Sequence, residues 1–243
     1  MRVAVLSDIH ANLAALESVL AAAGTVDAVW HLGDVVGYGA EPNEVIERLD
    51  DAGAIGVLGN HDAAVLGGVD IELFNPAARQ ALEWTREAIS DRSLAWLTAL
   101  PERLVAEDFL LVHGSPRQPI WEYVTTAGMA RAGIESLGRH GASVGLHGHT
   151  HVPVAWVEAD GTVEALEPTD GWRHRYPPRA ALLNPGSVGQ PRDGDPRASY
   201  CVIDTGRDEA TWHRVEYPVA ATQARMAAVA MPAFLIHRLS VGV

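Results

Sequence analysis

The sequence contains no lysine, since all 18 of its basic residues are arginine. Chemistry that needs a lysine amine is therefore excluded: Schiff-base and pyridoxal catalysis, the P-loop lysine and the kinase strand lysine. The single cysteine, Cys201, cannot form a disulfide within the chain, and nothing points to an oxidising compartment. No apolar run approaches the ~20 residues of a membrane span, and the first apolar run is too short for a signal-peptide core. We expect a cytoplasmic protein without a membrane partner.

Positive charge is also scarce. Against 31 acidic residues the 18 arginines leave a formal net charge of −13 in 243 residues. This balance argues against stable nucleic-acid binding, which selects for clustered positive charge. It is compatible with a small phosphate-ester substrate, including a nucleotide-like one that carries a base, when metal cations supply the positive charge. The oligomeric state is left open by the sequence.

The first quarter of the chain alternates predicted strands and helices. Short apolar runs predict strands, and the apolar spacing between them predicts helices. This β-α-β-α-β order implies parallel strands joined by right-handed crossovers. The five elements are Val3–Leu6, Leu13–Ala23, Ala28–Leu32, Glu41–Ala52 and Ile55–Leu58.

The rest of the chain is helical in the middle and richer in strands later. Helices are predicted at Pro76–Leu100, with the polar Ser90–Asp91 as a possible break, and at Thr126–Leu137. The tail predicts two short helices, Val219–Val229 and Ala233–Leu239. With no repeat or linker, residues 1–243 are interpreted as one domain. The predicted strands are Phe109–Val112, Val144–His147, Pro153–Val157, Thr162–Leu166, Ala181–Leu183, Ala198–Ile203 and Thr211–Glu216.

Side chains of the metal-binding types follow five of the predicted strands. In open α/β sheets, ligands bind beyond the carboxyl ends of the strands. A carboxylate can bridge two cations, while histidine and asparagine complete the coordination without adding charge; two divalent ions ~3.5–4 Å apart can clamp a phosphate. The five segments are Asp8-x-His10, Gly33-Asp34, Gly59-Asn60-His61-Asp62, His113-Gly114 and Gly148-His149-x-His151.

Together these segments resemble the five signature blocks of the calcineurin-like metallophosphoesterases. The resemblance covers Val3 to about Ser187, and Asn184-Pro185-Gly186-Ser187 makes the chain look most like the small bacterial and archaeal branch, often described as phosphodiesterases. It implies a four-layer α/β/β/α sandwich of two mixed β-sheets. It also implies a dinuclear phosphoesterase, with diesters favoured, in which a metal-bridging hydroxide attacks phosphorus.

The resemblance further implies a role for each motif residue. Asp34 would bridge the two ions, His61 would assist the leaving group as acid or transition-state stabiliser, and Asp62 would orient the His61 ring. The ligand set suits Mn²⁺, our first expectation, and also iron, Zn²⁺, Ni²⁺ or Co²⁺. The implied ligands are Asp8, His10, Asp34 and His151 for one ion, and Asp34, Asn60, His113 and His149 for the other.

One departure bears on the substrate. In the phosphoprotein phosphatase branch an Asp-Arg-Gly segment follows Gly-Asp and supplies a phosphate-gripping arginine, whereas here Val35 and Val36 follow Asp34. This disfavours a Ser/Thr protein phosphatase. A phosphomonoesterase or phosphoprotein phosphatase of the same family stays as an alternative, beside a non-catalytic protein-binding scaffold on the same fold. An amidohydrolase-type barrel fits the later strand-rich part poorly.

Candidate substrate contacts are less specific. Asn12 could approach the metals, although capping of the following helix is an equal reading. Arg117 and Arg192 could grip phosphate, and surface ion pairs are the alternative for each. Three aromatic residues could line a pocket or pack in loops: Tyr38, Trp121 and Tyr123.

Overall fold

Two mixed sheets of six strands each form the centre of the computed structural model, which describes residues 1–176 and 181–243. The strand order is β3-β2-β1-β11-β12-β9 in the first sheet and β4-β5-β6-β10-β7-β8 in the second. The strands are β1 (Arg2–Leu6), β2 (Ala28–His31), β3 (Ile55–Gly56), β4 (Arg103–Ala106), β5 (Phe109–Val112), β6 (Val144–Leu146), β7 (Val154–Ala159), β8 (Thr162–Leu166), β9 (Arg173–Arg175), β10 (Ala181–Asn184), β11 (Ala198–Asp204) and β12 (Glu209–Val215).

The helices lie on the outer faces of the two sheets. Side chains of α1, α2, α5 and α7 pack on the first sheet, and those of α6 pack on the second. The helices are α1 (Leu13–Ala23), α2 (Pro42–Asp51), α3 (Asn60–Val65), α4 (Pro76–Ala88), α5 (Asp91–Thr98), α6 (Ala127–Leu137), α7 (Val219–Ala228) and α8 (Ala233–Arg238), with single 3₁₀ turns at Ile71–Leu73 and Gly138–His140.

A core of buried apolar residues joins the inner faces of the sheets. Val5 and Trp30 of the first sheet meet Phe109 and Leu183 of the second in this cluster. Alternate residues of β1 point the other way, so that Ala4 and Leu6 pack against the outer helices. The period of two along a strand thus serves two hydrophobic layers at once. The predicted four-layer sandwich of two mixed sheets is confirmed.

Local signals explain most of the element bounds. The Asn12 side chain accepts a hydrogen bond from the Ala15 amide and caps α1, and Pro42 occupies the first turn of α2. The predicted helix over Pro76–Leu100 divides, because Ser90 caps a new helix at Asp91 and its extended backbone cannot continue α4. β1, β2 and β3 run parallel, as the alternation predicted.

Three elements lie outside the sequence prediction. Helix α3 begins inside the Gly59-Asn60-His61-Asp62 motif, for which no helix was predicted, and is buried throughout. Strand β9 has no apolar alternation and pairs only with β12 at the sheet edge, where packing does not demand it. Strand β4 pairs with β5. β3 ends earlier than predicted because the Leu58 amide donates to the carbonyl of Pro101.

In the part of the chain that the structure describes, no helix is long and apolar enough to cross a membrane.

Trp212 provides a test of the coupling between the sheets. It lies on β12, is 2% exposed, and its indole N–H donates to the carbonyl of Asn184 on the other sheet at 2.8 Å. We expect Trp212→Phe to lower the free energy of unfolding by about 1–3 kcal/mol, because a buried acceptor loses its donor. Urea unfolding measures this; Trp84→Phe, on the outer helix α4, is the control. An unchanged Trp212→Phe midpoint would contradict the coupling.

Candidate metal centre and catalytic site

Loops from both sheets meet at the carboxyl ends of their strands and hydrogen-bond to one another. The amide of Asp8, after β1, donates to Gly33 at 3.1 Å, and the amide of His10 donates to Asp34, after β2, at 2.9 Å. On the second sheet the Gly148 amide donates to His113 at 2.9 Å. Neighbouring loops therefore fix each other, and the motif side chains converge between them.

The first cluster brings together four buried side chains. His10 Nε2 lies 3.2 Å from His151 Nε2 and 3.6 Å from Asp34 Oδ2. His151 Nε2 lies 3.3 Å from Asp8 Oδ1. None of the four residues is more than 2% exposed, and one ligand atom of each lies within 4.8 Å of the others.

The second cluster shares Asp34 with the first. His113 Nε2 lies 3.4 Å from Asp34 Oδ2, 3.0 Å from His149 Nδ1 and 2.9 Å from Asn60 Oδ1. The same carboxylate oxygen of Asp34 thus faces His10 in one cluster and His113 in the other. A group in this position can bridge two cations.

The donor atoms of the first cluster fit a metal ion. Nδ1 of His10 lies 3.1 Å from the carbonyl of Val36, and Nδ1 of His151 lies 2.6 Å from the carbonyl of Gln190. Each neutral ring must carry its proton on Nδ1 to donate there. The Nε2 lone pairs then face each other at 3.2 Å with no proton between them, an arrangement that a cation stabilises.

The protonation states point the same way. Burial lowers the pKa of His10, His149 and His151 well below the usual range, so the three rings are neutral near pH 7. Burial alone would lower the pKa of His113, but the Asp34 carboxylate raises it to about 9. The pKa of Asp34 is well below its usual range despite burial, because the protonated His113 beside it favours the carboxylate. A metal ion would displace the His113 proton.

The backbone at the site is strained. Five non-glycine residues of the two clusters have positive φ, a conformation that costs on the order of 1–3 kcal/mol each and concentrates at functional sites. Glycine is required where the loops touch, because a Cβ on Gly59 would overlap Asp34 Oδ1. The five are Asp8 (52°), His10 (50°), Asp34 (50°), His149 (67°) and His151 (61°).

The Asn184–Ser187 segment ties the ligand-bearing loops together. Asn184 Nδ2 donates to the Gly148 carbonyl at 2.9 Å and to Thr150 Oγ1 at 3.0 Å. Ser187 Oγ donates to the Asp8 carbonyl at 2.8 Å and accepts from the Gln190 amide at 2.8 Å. The segment therefore holds the loop of His149 and His151 against the loop of Asp8.

His61 lies beside the first cluster, but its expected partnership with Asp62 is wrong. The ring of His61 packs 4.9 Å from that of His10, and its Nδ1 is buried without a partner among the described residues. The Asp62 carboxylate accepts instead from the amides of Val36 and Gly59, both at 3.0 Å. Two backbone donors from different loops outcompete the neighbouring ring, so Asp62 holds the loops and does not orient His61.

Two of the four predicted substrate contacts are engaged elsewhere. All polar atoms of the Asn12 side chain are used within the protein: besides capping α1, it donates to the Gly189 carbonyl at 3.0 Å and accepts from Thr222 Oγ1 at 3.0 Å. Arg117 forms an ion pair with Glu122 at 3.4 Å and is 42% exposed. The capping and ion-pair alternatives account for these residues, and the expected substrate contacts are not supported.

The other two predicted contacts lie next to the clusters. The Tyr38 ring packs 4.6 Å from His10 and 4.4 Å from His61. Arg192 lies beyond it, with its guanidinium carbon 5.8 Å from the centre of the Tyr38 ring. Both residues are therefore placed where they can face a substrate.

An aromatic arc, defined as Phe74, Trp121 and Tyr123, borders the site. Phe74 packs 4.9 Å from the His61 ring and 5.3 Å from Trp121. Tyr123 stacks on His149 with ring centres 3.7 Å apart and is 43% exposed. Sequence reasoning missed Phe74, whose only signal is an aromatic side chain just before the Asn75 cap of α4, and it missed Gln190, for which the sequence holds no signal.

Comparison with known proteins places the chain among phosphoesterases. A model described as the calcineurin-like phosphoesterase superfamily domain matches residues 1–208. A crystal structure of a metallophosphoesterase from Sphaerobacter thermophilus is 44% identical, with a TM-score of 0.89 over 100% of this chain and 99% of that one.

Two archaeal proteins are also similar over their whole lengths. An uncharacterized protein of Methanocaldococcus jannaschii is 35% identical over 247 residues, which cover 99% of this chain and 98% of that protein. The crystal structure of a hypothetical protein from Pyrococcus horikoshii is 20% identical with a TM-score of 0.81, over 100% of this chain and 98% of that one. The second likeness shows the fold alone.

Metal titration tests the shared position of Asp34. We expect metal-stripped protein to bind two Mn²⁺ ions per chain. Asp34→Asn should weaken both binding steps by about 100-fold or more, since loss of an outer partner alone costs 10–100-fold, whereas His151→Ala should weaken only one. Isothermal titration calorimetry measures both steps, with His140→Ala, on the surface turn after α6, as the control. A single ion in the wild type, or one unaffected step in Asp34→Asn, would contradict the shared site.

Proposed function

The chain belongs to the calcineurin-like phosphoesterase superfamily, and from that premise we propose that it hydrolyses phosphodiesters with an organic leaving group. The coarser activity, metal-dependent hydrolysis of phosphate esters, follows from the family, the fold and the buried Asp/His clusters. The observation that supports the preference for diesters is the packing of the aromatic arc against the His61 ring.

The two clusters supply the ligands of a dinuclear centre. We assign Asp8, His10, Asp34 and His151 to one divalent ion, with Asp34 shared. His113, His149 and Asn60 complete the second. The chemistry that such ions supply is neutralisation of phosphate charge and acidification of the attacking water. The mixed set of carboxylate, imidazole and amide donors suits Mn²⁺, which we propose as the working metal.

His61 acts on the leaving oxygen in this proposal. Burial lowers the pKa of His61 to about 4, so its ring is neutral near pH 7 and donates a hydrogen bond from an N–H. Its backbone amide donates to Asp34 Oδ1 at 2.8 Å, which fixes the ring relative to the shared carboxylate. A neutral donor held in place stabilises charge as it develops on the leaving oxygen.

The surroundings of His61 favour a diester over a monoester. Phe74 covers one side of the ring, and Trp121 continues the apolar surface toward His149. Such a surface receives an aryl group or a nucleobase by stacking. A diester carries one negative charge where a monoester carries two, and the segment Val35–Gly39 after Asp34 lacks the extra arginine of the phosphoprotein phosphatase pattern.

The proposal also covers the domain organisation, the cellular location and the size of the substrate. Helix α7 packs against α1 and the tail joins the body through Tyr38, which supports one domain over residues 1–243. The lone Cys201 is buried and unpaired, in keeping with a cytoplasmic location. The excess of acidic residues favours a small substrate, including one that bears a base, over a nucleic acid.

Removal of the His61 ring tests the leaving-group role. We expect His61→Ala to lower kcat on bis(4-nitrophenyl) phosphate with Mn²⁺ by about 10²–10⁴-fold, because the hydrogen bond to the leaving oxygen is lost. Binding of Mn²⁺ should remain at two ions per chain, as in the His140→Ala control. Equal activity in His61→Ala would refute the assigned role.

The aromatic arc makes a second prediction. We expect the wild type to cleave bis(4-nitrophenyl) phosphate with a kcat/KM about tenfold or more above that for 4-nitrophenyl phosphate. Phe74→Ala should lower the diester value by about two- to tenfold, since an aromatic contact contributes ~0.5–1.5 kcal/mol. Leu73→Ala, an exposed neighbour at 69%, is the matched control. A preference for the monoester would overturn the diester assignment.

A further inference from the structure

Two arginines converge on one buried amide beside the metal centre. Nη2 of Arg192 and Nη1 of Arg238 both donate to Oε1 of Gln190, each at 3.0 Å. Since both groups are donors, only the amide oxygen can face them, and this fixes the orientation of the Gln190 side chain. Gln190 is 1% exposed and Arg238 is buried, whereas Arg192 is half-buried; the three side chains form one hydrogen-bonded unit.

Among the described residues no side-chain carboxylate forms an ion pair with either arginine of this unit. Arg192 makes one further hydrogen bond, to the Tyr38 hydroxyl at 3.4 Å, and its Nε is buried without a partner in the described part of the chain. Arg238 is 9% exposed, and its Nε donates to the Val243 carbonyl. Two neighbouring, partly buried cations that pair with no carboxylate side chain are costly, and a bound anion would offset that cost.

Nearby arginines show the contrast. Arg197 pairs with Asp195 at 2.7 Å, and Arg214 pairs with Asp193, the residue directly after Arg192. The acidic side chains of this loop are thus committed to other arginines. Arg192 is left free to face an anion.

The unit is built against the metal centre. The guanidinium of Arg192 lies over Tyr38, whose ring contacts His10 and His61. The backbone carbonyl of Gln190 faces Nδ1 of His151 at 2.6 Å. The backbone carbonyl of Gln190 therefore fixes the orientation of the His151 ring, a proposed metal ligand, and its side-chain oxygen holds the guanidinium of Arg192.

The C-terminal helices supply Arg238. This arginine ends α8, which lies beyond the residues 1–208 that match the family model. The tail is anchored around the site: Thr222 donates to Asn12 at 3.0 Å, and the Gly194 amide donates to Gly242 at 2.8 Å. The C-terminal segment, from α7 to Val243, thus contacts the loop that carries Arg192.

We propose that Arg192 binds a phosphoryl oxygen of the substrate, and that Gln190 and Arg238 are positioning residues that hold its guanidinium toward the metal centre. The inference rests on the proposed phosphoesterase function. Arg192 would supply the cationic side chain for phosphate that the sequence otherwise lacks, because the chain has no lysine and no arginine directly after Asp34. A guanidinium fits phosphate oxygens through paired N–H donors, and Gln190 removes much of its rotational freedom.

Calorimetry with inorganic phosphate tests the inference on Mn²⁺-loaded protein. We expect Arg192→Ala to weaken phosphate binding by about tenfold or more, because a charge-assisted contact is lost. Arg238→Met should weaken it by about three- to tenfold on its own and cause no further loss in the Arg192→Ala background, since it acts through Arg192. Gln190→Glu, which would pair with both arginines, should weaken it without removing either.

The matched control is Arg225→Met. Arg225 lies on α7 of the same tail and pairs with Glu41 at 2.9 Å, so this change loosens the tail without touching Gln190. We expect its phosphate affinity to equal that of the wild type, whatever its thermal midpoint. Arg192→Lys, which restores charge without the planar fork, should recover part of the binding.

Several results would overturn the inference. One is a phosphate affinity in Arg192→Ala equal to that of the wild type. Another is a loss of affinity from Arg238→Met that is as large in the Arg192→Ala background as in the wild type. A third is a loss in Arg225→Met as large as that in Arg238→Met. If Arg238→Met fails to fold, Gln190→Glu decides: unchanged phosphate affinity in that variant rejects the positioning role. Failure of the proposed function is a separate readout, since it would appear as absent turnover of phosphodiesters by the wild type while phosphate binding is still measured.

Discussion

The structure depends on one constraint in the two Asp/His clusters. Their buried nitrogen and oxygen atoms lie so close together that the protons available on these side chains cannot satisfy them all with hydrogen bonds. His10 and His151 face each other at 3.2 Å through unprotonated nitrogens, and the Asp34 carboxylate serves both clusters. Water cannot relieve this crowding, because the side chains are no more than 3% exposed. Cations are the groups that turn such a set from a cost into a source of stability.

The surrounding loops are arranged to maintain that crowding. Backbone carbonyls of Val36, Leu32 and Gln190 face the far nitrogens of three histidines, which leaves the near nitrogens of the neutral rings free to bind a metal. The left-handed backbone at five ligand positions would relax in an isolated loop. It persists because loops of both sheets bond to one another and because Asn184 and Ser187 span them.

The charges around the two clusters are also separated, with acidic groups on one side and arginines on another. The chain is strongly acidic, yet the cations near the centre, Arg192 and Arg238, have an amide oxygen between them where a carboxylate would have neutralised them. The proposed active site therefore combines acidic side chains that would hold metal ions with two arginines that, as we propose, favour a bound phosphate. The aromatic arc closes another side of this region and presents an apolar surface to the organic part of an ester.

By itself the sequence determined most of the strands and helices, the motif side chains at strand ends and the family, because periodicity and the short motifs are local properties. Helix α1 begins and ends where it was predicted. Only the tertiary structure decided the partners: Asp62 binds the Val36 and Gly59 amides instead of the His61 ring, Asn12 is consumed by α1 and the tail, and Phe74 reaches His61. Strand β9 exists because β12 offers it an edge. These outcomes depend on which distant groups compete for the same donor or surface, and neighbouring residues in a chain carry no record of that competition.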